Sequence, residues 1–320
     1  MQIAERFLSE DSLSARRSAY VFLAVGLVAA SQSGNIIRLG DASAVAISTW
    51  RLALASVLLL PFAGGEIWAL FRLNRREFLL LLVAGVALAL HFFAWIAAVQ
   101  KGTVANASIV FSFNPVITAT AAYFIFGERA GRALVLSIVL GLIGVVLLSG
   151  ADWAFASGQV TGDLLALLCS VLFTVYFLLG KHLRKVLPTA TYVTAVYGVA
   201  ALVGVVVMVV RGDPMVHYSG QTWLCFVLMA LVPTMLGHTS INHAVRFMDA
   251  GWISAALLTE PLLAGLVAYF AWDEPLSLQA AAGYVLISLS VVALVVDARK
   301  WHPGSAPSGR RPDPGSVAQA

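Results

Sequence analysis

The chain has 320 residues, of which 60% are hydrophobic and only 11% are charged, whereas a soluble protein carries about 25% charged residues. Apolar runs of about 18 to 23 residues recur ten times. This composition excludes a soluble globular protein and predicts an all-α membrane protein embedded in a lipid bilayer. The formal net charge of +4 does not indicate a nucleic-acid partner, because most of the basic residues lie in short loops between the apolar runs.

The apolar runs predict ten transmembrane helices. At about 1.5 Å per residue, most of them can cross a hydrocarbon core of roughly 30 Å with some tilt, while the fifth, with 17 residues, is marginal. A membrane β-barrel is excluded because its strands show weak alternation over about ten residues instead of continuous apolar runs. The predicted spans are 19–38, 44–63, 78–99, 104–126, 133–149, 162–183, 189–210, 222–246, 251–272 and 279–296.

The basic residues of the loops predict the orientation. Of 19 lysines and arginines outside the span interiors, 16 lie at the two termini or in the alternate loops on the same side. Cytoplasmic loops carry the excess of basic residues, so both termini are expected in the cytoplasm. A cleavable signal peptide is the competing interpretation of residues 1–31, although an acidic leader with Glu5, Glu10 and Asp11 is unlike a short basic n-region.

The two halves of the chain are similar to each other. Shifting residues 90–128 by 146 positions onto 236–274 gives nine identities in 39 positions without a gap. The matched residues include Pro115 with Pro261 and Glu128 with Glu274, and proline and glutamate are rare in this chain. The pattern therefore predicts an internal repeat.

Each repeat contains five spans, an odd number, so the second copy must enter the membrane from the opposite side. The charges agree, because Glu128 has basic neighbours and is assigned to the inside, whereas Asp273 and Glu274 have none and are assigned to the outside. Inverted repeats are typical of secondary transporters, whose substrate site lies near the midplane between the halves. The predicted organisation is a cytoplasmic segment 1–18, a first repeat 19–149, a linker 150–161, a second repeat 162–297 and a disordered cytoplasmic tail 298–320.

Several motifs carry a family resemblance. They are the duplicated block, the proline-containing fourth and ninth helices that end at GER (127–129) and DEP (273–275), WRLALASVLLL in the second helix, LGHTSINHAVRF (236–247) and LLTEPLLA (257–264). Over residues 19–297 the chain resembles the drug/metabolite transporter superfamily, specifically the ten-helix EamA-type permeases. The resemblance implies a bundle with a central cavity that alternates between the two sides, usually for export of amino acids, other metabolites or toxic compounds.

The expected function is therefore secondary active transport, with export of a small metabolite, amino acid or drug-like compound across a bacterial cytoplasmic membrane. Uptake or exchange by the same fold is an alternative, as is a channel or sensor, and a homodimer is possible. No enzyme is expected, because HExxH and GxSxG motifs are missing and the Gly180-Lys181 pair lacks the preceding glycine of a P-loop. Cys169 and Cys225 both lie in apolar runs, so neither a disulfide framework nor a CxxC-type metal site is available. No cofactor is predicted.

Glu260 is the only acidic residue deep in a predicted span. A carboxylate there is costly unless it is protonated, paired or hydrated, so we expect it either to couple transport to protons or to bind a substrate amine. The alternative is a structural hydrogen bond to a neighbouring helix, which replaces the backbone bond that Pro261 cannot make. The equivalent position of the first repeat, which we call the repeat mate of Glu260, is occupied by Asn114, a candidate for the cavity wall.

Arg51 is the only base deep in a span. It could extend along its stem to the outer interface, or it could be a counter-ion for Glu260 or for a substrate carboxylate.

The remaining cavity candidates are polar or aromatic residues within spans. His238 and Asn242 share one face of the eighth helix with Arg246 and are predicted to line the cavity or to bond neighbouring helices. The pair His91 and Trp95 suits an organic or cationic substrate, with ordinary packing as the alternative. The last three candidates for substrate contact are Gln32, Asn35 and Tyr176. The alternative is close helix packing for Gln32 and Asn35 and ordinary aromatic packing for Tyr176.

Overall fold

The computed structural model describes residues 17–101, 104–148, 160–271 and 277–300, and within these ranges every regular element is a helix. Nine of the described helices are long and apolar enough to cross a membrane, and a tenth apolar helix is shorter. The predicted all-helical membrane fold with ten spans is therefore confirmed. The segments 1–16 and 301–320, most of the predicted linker, and Asp273 and Glu274 lie outside the described residues, so the predicted domain boundaries stay predictions.

The ten helices follow the predicted spans closely. We label them α1 (Arg17–Ile37), α2 (Ala44–Ala63), α3 (Arg75–Lys101), α4 (Val104–Phe111 and Asn114–Phe126), α5 (Arg132–Leu148), α6 (Val160–Leu183), α7 (Thr189–Arg211), α8 (Gly220–Ala244), α9 (Ala250–Ala271) and α10 (Leu278–Lys300). A 3-10 segment, Gly64–Arg72, follows α2.

Local sequence sets several helix ends. Ser43 caps the start of α2, where its hydroxyl accepts a hydrogen bond from the Ala46 amide, and Ser219 caps α8 by the same interaction with Thr222. The C-terminal caps of α4 and α7 are Gly127 and Gly212, whose positive φ angles are tolerated because glycine lacks a Cβ.

Three helices change their hydrogen-bonding pattern near a proline. Helix α4 is interrupted just before Asn114, and α9 contains a 3-10 turn, Leu257–Thr259, just before Glu260. In α8 the segment Ala230–His238 is a π-helix that contains Pro233. Proline lacks the N–H that a continuous α-helix requires, and irregular backbone inside a membrane is tolerated where it is covered by protein or lines a cavity.

Equivalent helices of the two repeats pack against each other. Helix α2 packs on α7, α4 on α9, and α5 on α10, while α3 packs on α6 and α7. Each of the first three contacts joins a helix to its own repeat mate, as expected when the halves are related by a two-fold axis in the membrane plane.

The crossing of α5 and α10 shows the inverted symmetry in detail. The hydroxyl oxygens of Ser137 and Ser290 are 2.8 Å apart, and an added Cβ on Gly283 would lie 2.6 Å from the Gly144 carbonyl oxygen. The 146-residue shift converts Ser137 into Gly283 and Gly144 into Ser290, so the two close contacts are equivalent. Small residues let the helix backbones approach closely, which is a common basis of helix association in membranes.

Candidate functional site

A cavity of about 150 Å³ lies between the two repeats. Helices α1, α3, α4, α6, α8 and α9 all contribute to its wall, and the residues next to the interruptions of α4 and α9 are among those that line it. Five of the ten predicted site residues line this cavity: His91, Trp95, Asn114, His238 and Glu260.

Glu260 is the only acidic side chain among the described lining residues, which include no lysine or arginine. Its carboxylate forms no hydrogen bond or ion pair with any described residue. Glu260 begins the second half of α9, directly after the 3-10 turn. A carboxylate in this position is stable only when it is protonated, hydrated or paired with a bound cation, so the cavity can hold a proton or a positively charged group here.

Asn114, the repeat mate of Glu260, is fully engaged by neighbouring helices. Its amide nitrogen donates to the Ser170 carbonyl at 2.9 Å and to the Thr174 hydroxyl at 3.1 Å. Its side-chain oxygen accepts from Ser254 at 2.6 Å and from Thr118 at 3.2 Å. Asn114 thus connects α4 to α6 and α9, and the two halves of the molecule present different chemistry at equivalent positions.

Aromatic rings form much of the wall. Phe111 contacts Trp95 and Phe173, with ring centroids 5.6 Å and 5.9 Å apart. The His91 ring lies 5.3 Å from Phe173, and its Nδ1 donates to the Cys169 carbonyl at 3.0 Å. A carbonyl oxygen can only accept, so the Nδ1 atom of His91 carries the proton of this hydrogen bond. The bond also holds the ring in its orientation. The result is an apolar, aromatic surface with a few polar groups, as is typical of small-molecule sites.

Arg51 does not line the cavity, although it lies close behind the wall. The side chain is 1% exposed, so it does not reach the outer interface, and it forms no ion pair with Glu260 or any other described acid. Its Nε donates to the Thr234 hydroxyl at 2.9 Å, and its guanidinium carbon lies 4.1 Å from the centre of the Phe92 ring. Phe92 and His238, whose rings contact each other edge to face, both line the cavity.

Besides Arg51, four predicted residues lie outside the cavity wall. Gln32 donates to Ser31, and its oxygen accepts from Asn35. Asn35 also donates to the Ala264 carbonyl at 3.1 Å, which ties α1 to α9. The Asn242 amide donates to the Tyr176 hydroxyl and to the His238 carbonyl. These contacts fit the packing alternative for Gln32, Asn35, Tyr176 and Asn242, and their proposed role in substrate contact stays a prediction.

Several wall residues were not singled out in the sequence. Phe92, Phe111 and Phe173 are aromatic residues within apolar runs, and nothing in their local pattern distinguishes them from lipid-facing or core phenylalanines. The alignment of the halves could have indicated Ser254, which matches Ser108, as it indicates Pro115 and Pro261, which match each other and also line the cavity.

An ion pair joins the two repeats at one end of the bundle. The Glu128 carboxylate at the end of α4 pairs with the Lys181 ammonium of α6 and accepts a hydrogen bond from the Ala250 amide at the start of α9. Lys181 also donates to the Met248 carbonyl at 2.8 Å. We call this group the Glu128 contact.

Comparison with known proteins gives a consistent result. The sequence profile described as the EamA-like transporter family matches residues 17–150 and again 160–296. The chain is 25% identical over 256 residues to the uncharacterized transporter YyaM of Bacillus subtilis (strain 168), covering 77% of this chain and 82% of that protein. It is also 27% identical over 180 residues to the aromatic amino acid exporter YddG of Ancylobacter novellus, covering 55% of this chain and 61% of that protein.

One solved crystal structure of another protein superposes with a TM-score of 0.78. The match covers 89% of this chain and 99% of the other, at 21% sequence identity. At this identity the likeness concerns the fold alone.

Proposed function

Because the chain belongs to the EamA-like transporter family, we propose that it is a secondary active carrier that exports a small organic molecule by alternating access. The observation that carries this proposal is the cavity between the two repeats, which holds the carboxylate of Glu260 without a partner among the described residues. A binding site near the midplane, at the interface of inverted repeats, is the architecture in which rocking of one repeat against the other exposes the site to each side in turn.

The wall of the cavity supports a substrate with an apolar or aromatic body. Trp95, Phe111 and Phe173 offer ring faces and edges to such a molecule. One relative is named as an aromatic amino acid exporter, which fits a ligand of this kind.

Glu260 is proposed to couple transport to protons. A carboxylate surrounded by protein and lipid changes its interactions when water, a proton or a substrate amine reaches it. Because the two access states differ in which side supplies water and protons, a proton bound in one state can be released in the other, and binding then biases the conformational equilibrium.

The test uses purified protein in liposomes loaded with labelled phenylalanine, tyrosine and tryptophan. We expect saturable efflux that unlabelled substrate outside accelerates and that an imposed pH gradient also accelerates. Glu260→Gln keeps the shape of the side chain and should abolish the response to the gradient, whereas the exposed Glu66→Gln in the segment after α2 is the matched control.

The outcomes separate the possible functions. Efflux that does not saturate and shows no trans-stimulation would identify a channel, and no flux of any of the three compounds would contradict the proposal. A Glu260→Gln protein with unchanged response to the pH gradient would leave a carrier without proton coupling at this residue.

The orientation is proposed with both termini in the cytoplasm of a bacterial cell, based on the distribution of basic residues. Single cysteines at Ala130 and Val216, exposed positions in loops at opposite ends of the bundle, test it in a background without Cys169 and Cys225. A membrane-impermeant maleimide added to intact cells should label Val216→Cys and not Ala130→Cys. The reverse pattern would invert the orientation.

A further inference from the structure

The positive charge of Arg51 has no counter-ion in the described structure. The side chain is buried in the middle of α2, no described carboxylate lies within ion-pair distance, and its Nη2 atom has no hydrogen-bond partner. Arginine stays charged in proteins and has five donors to satisfy. A guanidinium with an open donor inside a membrane protein therefore has the properties of a binding site for an anion that the described residues do not supply.

A single aromatic ring connects this charge to the cavity. The guanidinium stacks on Phe92 at 4.1 Å, and Phe92 lines the cavity although Arg51 does not. His238 contacts the same ring at 5.2 Å and also lines the cavity. A rotation of the Phe92 side chain would therefore remove the ring that lies between the guanidinium and the cavity.

The cavity thus lies between two side chains of opposite charge, neither of which forms an ion pair with another described residue. Glu260 faces it directly from α9, and Arg51 stands behind Phe92 on the side of α2 and α3. A ligand with one positive and one negative group satisfies both charges, whereas a ligand with only one of these groups leaves the other buried charge without a partner.

We propose that Arg51 binds the carboxylate of a zwitterionic substrate once Phe92 turns aside, while Glu260 binds its ammonium group. This inference rests on the proposed transport function and adds to it the substrate class and the residue that selects it. Arginine is suited to this role because its planar group can donate two parallel hydrogen bonds to a carboxylate.

A set of three ligands with the same phenyl ring tests the charge requirement: phenylalanine, phenethylamine, which lacks the carboxylate, and 3-phenylpropionate, which lacks the amine. Dissociation constants are measured by calorimetry on the purified full-length protein. The wild type should bind phenylalanine at least about tenfold more tightly than either analogue, since a hydrogen-bonded charged group contributes about this factor.

Substitution of Arg51 separates ligand binding from a structural role. In Arg51→Gln the affinity for phenylalanine should fall to about that for phenethylamine, while the affinity for phenethylamine changes less than about twofold. Arg51→Lys keeps the charge and should retain part of the preference. If Arg51→Gln lowers the affinities for phenylalanine and phenethylamine equally, the inference is overturned. Arg51 would then have a structural role through its hydrogen bond to Thr234.

Phe92→Ala provides a second test that leaves Arg51 in place. Removal of the ring exposes the guanidinium, so the affinity for 3-phenylpropionate should rise relative to that for phenethylamine. An unchanged ratio would contradict the role of Phe92 as a cover. Transport of phenethylamine by the wild type at the same rate as phenylalanine would support the carrier function and contradict the carboxylate site. Absence of flux for all three compounds would contradict both proposals.

Discussion

Glu128 and Lys181 form an ion pair between the first and the second repeat, and each side chain is only 13% exposed. The same carboxylate accepts a hydrogen bond of 2.9 Å from the Ala250 amide, where the unpaired N–H groups at the start of α9 favour a negative charge. The Glu128 contact therefore holds α4, α6 and α9 together at one end of the bundle. If the carrier alternates between two states, this contact must break when the cavity opens to that end.

We expect Glu128→Gln to favour the state in which the cavity is open at this end. Glutamine can still accept from Ala250 but cannot pair with Lys181, and loss of a partly exposed ion pair of about 1 kcal/mol would change the ratio of the two states about fivefold. The reporter is a cysteine at Ser254, a buried wall residue, in a protein without other cysteines. Its rate of labelling by an impermeant maleimide applied from the Glu128 side is measured.

Glu66→Gln serves as the control for this experiment, because Glu66 is exposed and lies outside the membrane-spanning helices. The control should label at the rate of the parent protein. Equal labelling rates for Glu128→Gln and the parent would show that the contact does not hold this end closed.

Asn114 should contribute strongly to stability. Its substitution by leucine removes four hydrogen bonds and leaves the buried Ser254 and Thr174 hydroxyls without this partner. We expect the free energy of unfolding to fall by about 2–3 kcal/mol, which a lower melting temperature in detergent would reveal. The exposed Gln221→Leu should change it by less than about 0.5 kcal/mol, and equal melting temperatures for both variants would rule out a structural role for the Asn114 bonds.

The sequence predicted most of the fold because the length of a hydrophobic run is the main feature that defines a membrane-spanning helix. The predicted 133–149 corresponds to Arg132–Leu148, and 189–210 to Thr189–Arg211. The interruption of α9 could be predicted only in part. Pro261 indicates where the backbone can become irregular, but it does not predict that Leu257–Thr259 forms a 3-10 turn.

The site was predicted less completely than the fold. Polar residues in apolar runs must find partners, and the sequence does not say whether the partner is a substrate or another helix. Glu260 and His238 reach the cavity, while Asn242 bonds to Tyr176. Arg51 shows the limit most clearly, because its contact with Phe92 depends on how α2 and α3 pack.

The crossing of α5 and α10 should not tolerate an extra methyl group. In Gly283→Ala the new Cβ would meet the Gly144 carbonyl oxygen and the Leu148 amide nitrogen, both 2.6 Å away. Backbone atoms cannot move aside easily, so we expect destabilisation of about 1–3 kcal/mol despite the better helix propensity of alanine. Gly131→Ala is the control, because no atom lies within 4 Å of its new Cβ. A melting temperature of Gly283→Ala equal to or higher than that of the control would contradict the close crossing.

The central claim is that substrate passes through the cavity between the repeats, and obstruction of that cavity tests it most directly. Ser33 lines the cavity, whereas Ser288 is exposed on α10 and does not line it. Counterflow of labelled phenylalanine into preloaded proteoliposomes is measured for the wild type, Ser33→Trp and Ser288→Trp, with equal amounts of folded protein. We predict that Ser33→Trp loses at least about tenfold in rate because the indole fills the cavity, while Ser288→Trp keeps the wild-type rate. Wild-type counterflow by Ser33→Trp would contradict transport through this cavity.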